Sequence, residues 1–337
     1  MSAEGGHIKR FFREAIARAV GEAMAADPRV IVLGQDVGAF GGPYKEFLGL
    51  YAEFGAARVR DTPVAEASMV ALGVGAAAAG LRPLVSITYM DFLMLGFDAL
   101  VNYAAKARFK TAGRITAPVV VKTTAGAKGQ GVAHSQCLES WLMGVPGLTV
   151  VAPATAAEAY GLMRSALSHD GPVVFVDHKR LFPTAGDVPL APVATPIGKA
   201  LVRRQGRDVT IATHGFMVRV ALEAAERLAR EGVHCEVVDL RSLAPLDIET
   251  VAGSVGRTGA LVTLEEGQIT CGVGAEVAFR VQDALGPVRV ARVGALAAPV
   301  SSNPVLEAAC IPDAARVLAA VQRVLDLAPP GAAKEVR

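Results

Sequence analysis

The chain has 337 residues, about twice the usual domain size, so two globular domains are expected. Hydrophobic residues make up 52% and charged residues 20%, enough apolar surface to offset chain entropy in a sizeable core, which excludes a disordered chain. Thirty-four Lys and Arg against 32 Asp and Glu leave a formal net charge of +2, which gives no electrostatic footprint for nucleic acid.

The N-terminal stretch Met1–Phe12 is polar and basic and has no apolar segment of the secretory type. Phe11–Ala25 then reads as the first amphipathic helix and Val30–Leu33 as the first buried strand. Helix Ala65–Ala79, strand Leu84–Ile87, helix Phe97–Ala107 and strand Val119–Lys122 follow. Strand Leu148–Val151, helix Ala156–Leu167 and strand Val173–Val176 complete a first series. Strands alternating with helices imply parallel pairing and a layered α/β fold.

The proline-rich stretch Phe182–Ile197 lacks apolar periodicity and suits an exposed connector. A second series has strands at Asp208–Thr213, His234–Asp239, Ala260–Leu264 and Val288–Val293, with helices at Val218–Glu231 and Ala275–Leu285. The expected division is a first domain over residues 1–182, a linker over 183–197, a second domain over 198–327 and a tail over 328–337. The longest apolar run, Met69–Gly80, is too short and glycine-rich to span a bilayer of about 30 Å. Cys137, Cys235, Cys271 and Cys310 lie far apart without paired spacing, so no zinc site or disulfide framework is expected and a reducing cytoplasm fits. These features together predict a soluble cytoplasmic protein with neither nucleic acid nor membrane as a partner.

Open parallel sheets bind ligands at the carboxyl ends of their strands. The glycine-rich segments Gly34–Gly38 and Thr123–Gly131 follow expected strands and are reasonable site loops, although neither is a nucleotide-binding fingerprint. Just after the second comes Gly131-Val132-Ala133-His134-Ser135-Gln136, where a histidine can exchange protons near neutral pH. Glu66 opens an otherwise almost uncharged helix. It reads either as a capping acid favoured by the helix dipole or as a partly desolvated carboxylate in need of a partner, because Met69–Gly80 is apolar nearly all round. Phe92, in Tyr89-Met90-Asp91-Phe92, sits past a strand end and reads as core or as a ligand-stacking ring.

The segments Gly34–Val37, Gly41–Lys45 and Arg58–Glu66 resemble the β subunit of thiamine-diphosphate-dependent 2-oxo acid dehydrogenases, the E1 component. Gly80-Leu81-Arg82-Pro83, Asn102–Lys106, Ala133–Gln136 and Pro146-Gly147-Leu148 extend the likeness. Asp239–Asp247 and Gly272–Glu276 carry it into the second half, in order from about residue 8 to residue 326. The resemblance implies two layered α/β domains, a pyrimidine-binding domain with a parallel sheet and a transketolase C-terminal-like domain. It implies that Glu66 bonds N1′ of the aminopyrimidine and so favours the tautomer that takes up the C2 proton. Phe92 would stack on the pyrimidine, and His134 would steady the substrate carboxylate or exchange protons with the intermediate.

The family's G-D-G…Asn motif for diphosphate and Mg2+ does not occur in the sequence. The resemblance therefore implies that the diphosphate and Mg2+ are held by a separate E1 α subunit in an α2β2 heterotetramer. Its product would pass to a lipoyl-bearing E2 acyltransferase. Some members hold K+ through backbone carbonyls, which here fall on Val119, Ala166, Leu167, His169 and Gly171. Two positions depart from the pattern: Gly144 stands where many relatives have a second histidine, and Ser86 where many have Glu. The substrate implied is pyruvate or acetoin, with a branched-chain 2-oxo acid as the alternative. A degenerate, non-catalytic binding subunit is a further alternative, and single-chain transketolases are set aside because they are about twice this length.

Overall fold

The computed structural model describes residues 6–326. The chain opens with β1 (His7–Phe11), α1 (Phe12–Ala26), β2 (Val30–Gly34), α2 (Leu50–Phe54), β3 (Val59–Asp61), α3 (Glu66–Ala78), β4 (Arg82–Ile87) and α4 (Met90–Leu93). A 3-10 turn at Met94–Gly96 and a π-helix at Asp98–Ala104 lead to α5 (Ala107–Lys110), where the sequence predicts a single helix over Phe97–Ala107. Then come β5 (Val120–Ala125), α6 (Glu139–Met143), β6 (Thr149–Val151), α7 (Ala156–Ser168), β7 (Val173–His178) and β8 (Ala185–Pro189).

The remainder comprises β9 (Leu201–Arg204), β10 (Val209–Thr213), α8 (Met217–Arg230), β11 (Cys235–Asp239), β12 (Ser242–Ala244) and α9 (Ile248–Thr258). It ends with β13 (Ala260–Gln268), α10 (Val273–Leu285), β14 (Arg289–Ala295), α11 (Pro304–Cys310) and α12 (Ala314–Asp326). The tail expected over 328–337 lies outside the described residues. Among the described residues no helix is long and apolar enough to cross a membrane.

Two compact units form. Of the described residues, the first contains 6–128, 133–197 and 242–245, and the second contains 129–132, 198–241 and 246–326. In the first, a seven-stranded sheet runs β12-β6-β7-β5-β4-β2-β3, all parallel except β12, which pairs antiparallel with β6. Its central strands are buried throughout, as strands covered on both faces must be. α1 buries Phe12, Ala15, Ile16, Ala19, Val20 and Met24, a stripe at helical spacing, and packs against α7. Thr155 caps α7: its hydroxyl oxygen accepts from the Glu158 N–H at 3.3 Å, and the hydroxyl donates to the Glu158 carboxylate at 2.6 Å.

Two expectations change in this unit. The stretch read as an exposed connector contains β8, which pairs antiparallel with β1, and Phe182 is buried with its ring stacked on Tyr44 at 4.5 Å. Pairing of two short polar strands leaves no apolar periodicity to read. α3 is not buried all round: it hides Met69, Val70, Gly73, Val74 and Ala77, while Leu72 is 56% exposed. Its small residues make both faces look like core, so composition could not tell the faces apart.

The second unit holds a five-stranded sheet, β14-β13-β10-β11-β9, parallel except for β9. α8 buries Met217, Val218, Ala221, Ala224, Ala225 and Leu228. Two of the quoted sequence strings are structural here. Asp239 pairs with Arg203 at 2.8 Å, and Asp247 caps α9 by accepting from the Thr250 N–H. The Glu265 carboxylate accepts from the N–H groups of Val273 and Gly274 at 2.8 and 2.9 Å, at the start of α10. A β-carbon at Gly272 would collide with that carboxyl and one at Gly274 with the Thr263 side chain, which explains the glycines of the Gly272–Glu276 string.

Candidate active site

Within the first unit the carboxyl ends of β2, β4, β5 and β7 lie side by side. The chain leaves β2 for β3 on one flank and returns as β4 on the other, which creates the crevice where parallel sheets hold ligands. The loop after β2 is spent on itself. The Gly38 N–H donates to Asp61 at 2.7 Å and the Gly42 N–H to the Asp36 carbonyl at 2.7 Å, so those amides are not free to cradle a phosphate.

Past the end of β4, Tyr89 precedes α4 and Phe92 lies within it. The loop after β5 brings His134 back to these rings. The His134 imidazole meets Tyr89 edge-on at 4.7 Å and Phe92 edge-on at 5.4 Å, and the two aromatic rings lie 6.1 Å apart. Edge-to-face pairs of this kind contribute about 0.5–1.5 kcal/mol each beyond burial. Further ties fix the loop to α4. The Gln136 side chain donates to Asp91 at 2.9 Å, and the Leu138 N–H donates to the Met90 sulfur at 3.1 Å. The loop leaves β5 at Gly126, whose φ is +92° and whose missing β-carbon gives room to the His178 ring.

Glu66 is the first residue of α3 and is half-buried. Among the described residues its carboxylate makes no hydrogen bond or ion pair, so it does not cap its own helix through a side-chain bond. α3 packs against α4, which places the helix headed by Glu66 on the helix that carries Phe92. Phe92 and His134, singled out separately in the sequence, are thus in direct contact. Tyr89 was quoted there only as a neighbour of Phe92, and its position at the same strand end was the available signal.

Beneath the sheet's carboxyl end lies a buried ion cluster that the sequence does not announce. The Lys122 ammonium is 3.0 Å from Glu46 and 3.0 Å from Asp177, with all three side chains inaccessible. It also donates to the Thr124 hydroxyl at 3.2 Å. Burial opposes the lysine charge, but the two carboxylates outweigh it and hold its pKa above the usual range. Burial pushes Asp177 up to about 6, against the pull of Lys122.

Four of the five carbonyls expected to hold K+ accept hydrogen bonds. Leu167 and His169 accept from the Arg82 guanidinium at 2.9 and 2.7 Å. Ala166 accepts from the His169 N–H and Val119 from the Val173 N–H. Two of the five therefore face the Arg82 guanidinium. Of the two departures, Gly144 is exposed with open space around a would-be β-carbon, and Ser86 is buried with no hydrogen-bond partner for its hydroxyl among the described residues. An apolar groove of about 560 Å³ also opens on the bare face of α3, where Val74, Gly75, Ala78, Tyr103 and Ile115 line it.

Comparison with known proteins matches residues 9–184 to the family described as transketolase, pyrimidine binding domain, and residues 198–317 to transketolase, C-terminal domain. The chain is 45% identical over 270 residues to the mitochondrial pyruvate dehydrogenase E1 component subunit beta-1 of Arabidopsis thaliana, covering 79% of this chain and 74% of that one. It is 39% identical over 325 residues to the acetoin:2,6-dichlorophenolindophenol oxidoreductase subunit beta of Cupriavidus necator, covering 92% of this chain and 96% of that one. Among solved structures, a split-gene transketolase described as an inactive β4 tetramer superposes with a TM-score of 0.77 at 28% identity, covering 93% of this chain and 98% of that chain. The chain belongs to the transketolase-like superfamily, within the group of E1 β subunits of 2-oxo acid dehydrogenases of the pyruvate and acetoin type.

Proposed function

We propose that the chain is the β subunit of a thiamine-diphosphate-dependent E1 component that acts on pyruvate or acetoin and passes an acyl group to a lipoyl-bearing E2. The observation that carries this reading is the Tyr89–Phe92–His134 cluster at the strand ends of a pyrimidine-binding-type domain. Thiamine diphosphate, when bound, supplies the carbon nucleophile that attacks a 2-oxo group.

The chain's own residues then divide the work. Glu66, half-buried and without a protein partner among the described residues, would accept a hydrogen bond from the aminopyrimidine ring. The Phe92 face would support that ring, and the His134 imidazole would hold the substrate carboxylate or move a proton at its nitrogen. Among the described residues no cluster of three or more His, Cys, Asp or Glu is placed to hold a metal. Glu66, Phe92 and His134 suit the pyrimidine end of the cofactor and, with the G-D-G…Asn motif missing from the sequence, we assign the diphosphate and Mg2+ to an α subunit in an α2β2 assembly. The exposed apolar groove on α3 supports association with another chain. No observation favours a branched-chain substrate.

The test is to purify the chain alone and with its α subunit and to assay thiamine-diphosphate-dependent dye reduction on pyruvate, acetoin and branched-chain 2-oxo acids. Activity on pyruvate or acetoin from the complex, and none from the chain alone, is expected. Activity of the isolated chain would refute the shared site, and inactivity with every substrate would favour a degenerate subunit.

A further inference from the structure

We propose that Lys179 is a positioning residue that holds His134 in its working orientation. The proposal rests on the reading of His134 as a site residue. Lys179 follows the end of β7, and its side chain is completely buried. Its backbone N–H donates to the Ala125 carbonyl at 3.3 Å, which fastens it where the loop carrying His134 departs from β5. Its ammonium donates to the backbone carbonyl of His134 and lies 4.7 Å from the centroid of the Tyr89 ring. Tyr89 is in turn the ring against which the His134 imidazole rests at 4.7 Å. One buried cation therefore grips both the main chain of His134 and the aromatic surface that orients its side chain.

His134 lies in a loop outside any helix or strand, so no ladder of backbone bonds fixes it and its placement depends on ties of this kind. A buried ammonium is costly to desolvate. A methionine would fill the same volume but could not donate to the His134 carbonyl. A catalytic group held out of place by about 1 Å loses on the order of 10²-fold in rate.

The test uses the assembled complex with Lys179→Met, Lys179→Arg, His134→Ala and the Lys179→Met/His134→Ala double variant. Lys179→Met should lower kcat by about 10²-fold and leave the KM for thiamine diphosphate within about threefold of the parent. Lys179→Arg should restore most of the rate, because a guanidinium can donate to the same carbonyl and lie over the same ring. The double variant should be no slower than His134→Ala, since one residue acts through the other. If Lys179→Met does not assemble, Lys179→Gln, which keeps an N–H donor but no charge, takes its place in the cycle.

Parental turnover in the Lys179 variant, or losses that multiply in the double variant, would overturn the positioning role while leaving His134 in the site. Parental turnover in His134→Ala would overturn the reading of His134, and the role of Lys179 with it.

Discussion

The His134 imidazole stands edge-on to the Phe92 ring, with centroids 5.4 Å apart and planes at 82°, although the two residues follow different strands of the sheet. The contact ties the ring assigned to the cofactor to the group assigned to the substrate. Phe92→Ala removes both the stacking face and this contact. Because Phe92 is only half-buried, its loss should cost the fold little, about 1 kcal/mol. The KM for thiamine diphosphate in the complex should rise by about tenfold and kcat should fall. A titration of activity against cofactor, alongside thermal melting, checks both. An unchanged KM would remove Phe92 from the cofactor site.

Lys122 compensates two buried carboxylates at once. Lys122→Met leaves Glu46 and Asp177 in a dry interior without their cation, so it should destabilise the first unit by about 3–5 kcal/mol. Lys122→Met combined with apolar replacements at Glu46 and Asp177 should recover most of that loss. Urea unfolding of the chain and its variants measures both. A single variant as stable as the parent would show that the cluster is hydrated or already neutral.

Three buried carboxyls make stability pH-dependent. Burial pushes Glu265 up to about 7, against the N–H bonds of Gly274 and Val273, and pushes Asp177 and Asp239 up to about 6. Each holds its proton in the folded chain over a pH range where the unfolded chain has released it. Stability is therefore full below the unfolded carboxyl pKa and falls as pH rises through about 6 to 7. The loss from Glu265 alone is about 3 kcal/mol. Melting temperatures across this range should decline for the parent and decline less steeply for Glu265→Gln. Equal slopes would remove Glu265 as the titrating group.

Most of the fold follows from apolar periodicity, because the buried strands β2, β4 and β7 and helices α1, α7 and α8 each carry a clear stripe or run. Where the chain buries charge, that logic fails. β5 continues past Lys122 through Thr123 and Thr124 to Ala125, residues that read as loop, and Lys122 is accommodated within it because it finds two carboxylates brought by distant segments. Short edge strands such as β1, β3, β8 and β12 have too few inward positions to show a period. At the site, Glu66, Phe92 and His134 stood out by their positions after strands or at a helix start. The contacts of Tyr89 and Lys179 depend on how three strand ends converge, and no local pattern encodes that.

Cofactor C2 proton exchange, followed by NMR in the assembled complex, bears most directly on the assignment of Glu66. Glu66→Gln should melt and assemble like the parent yet slow that exchange by about 10²-fold or more. Exchange at the parental rate in Glu66→Gln would refute the role given to the carboxylate, and with it the account of how this chain takes part in the reaction.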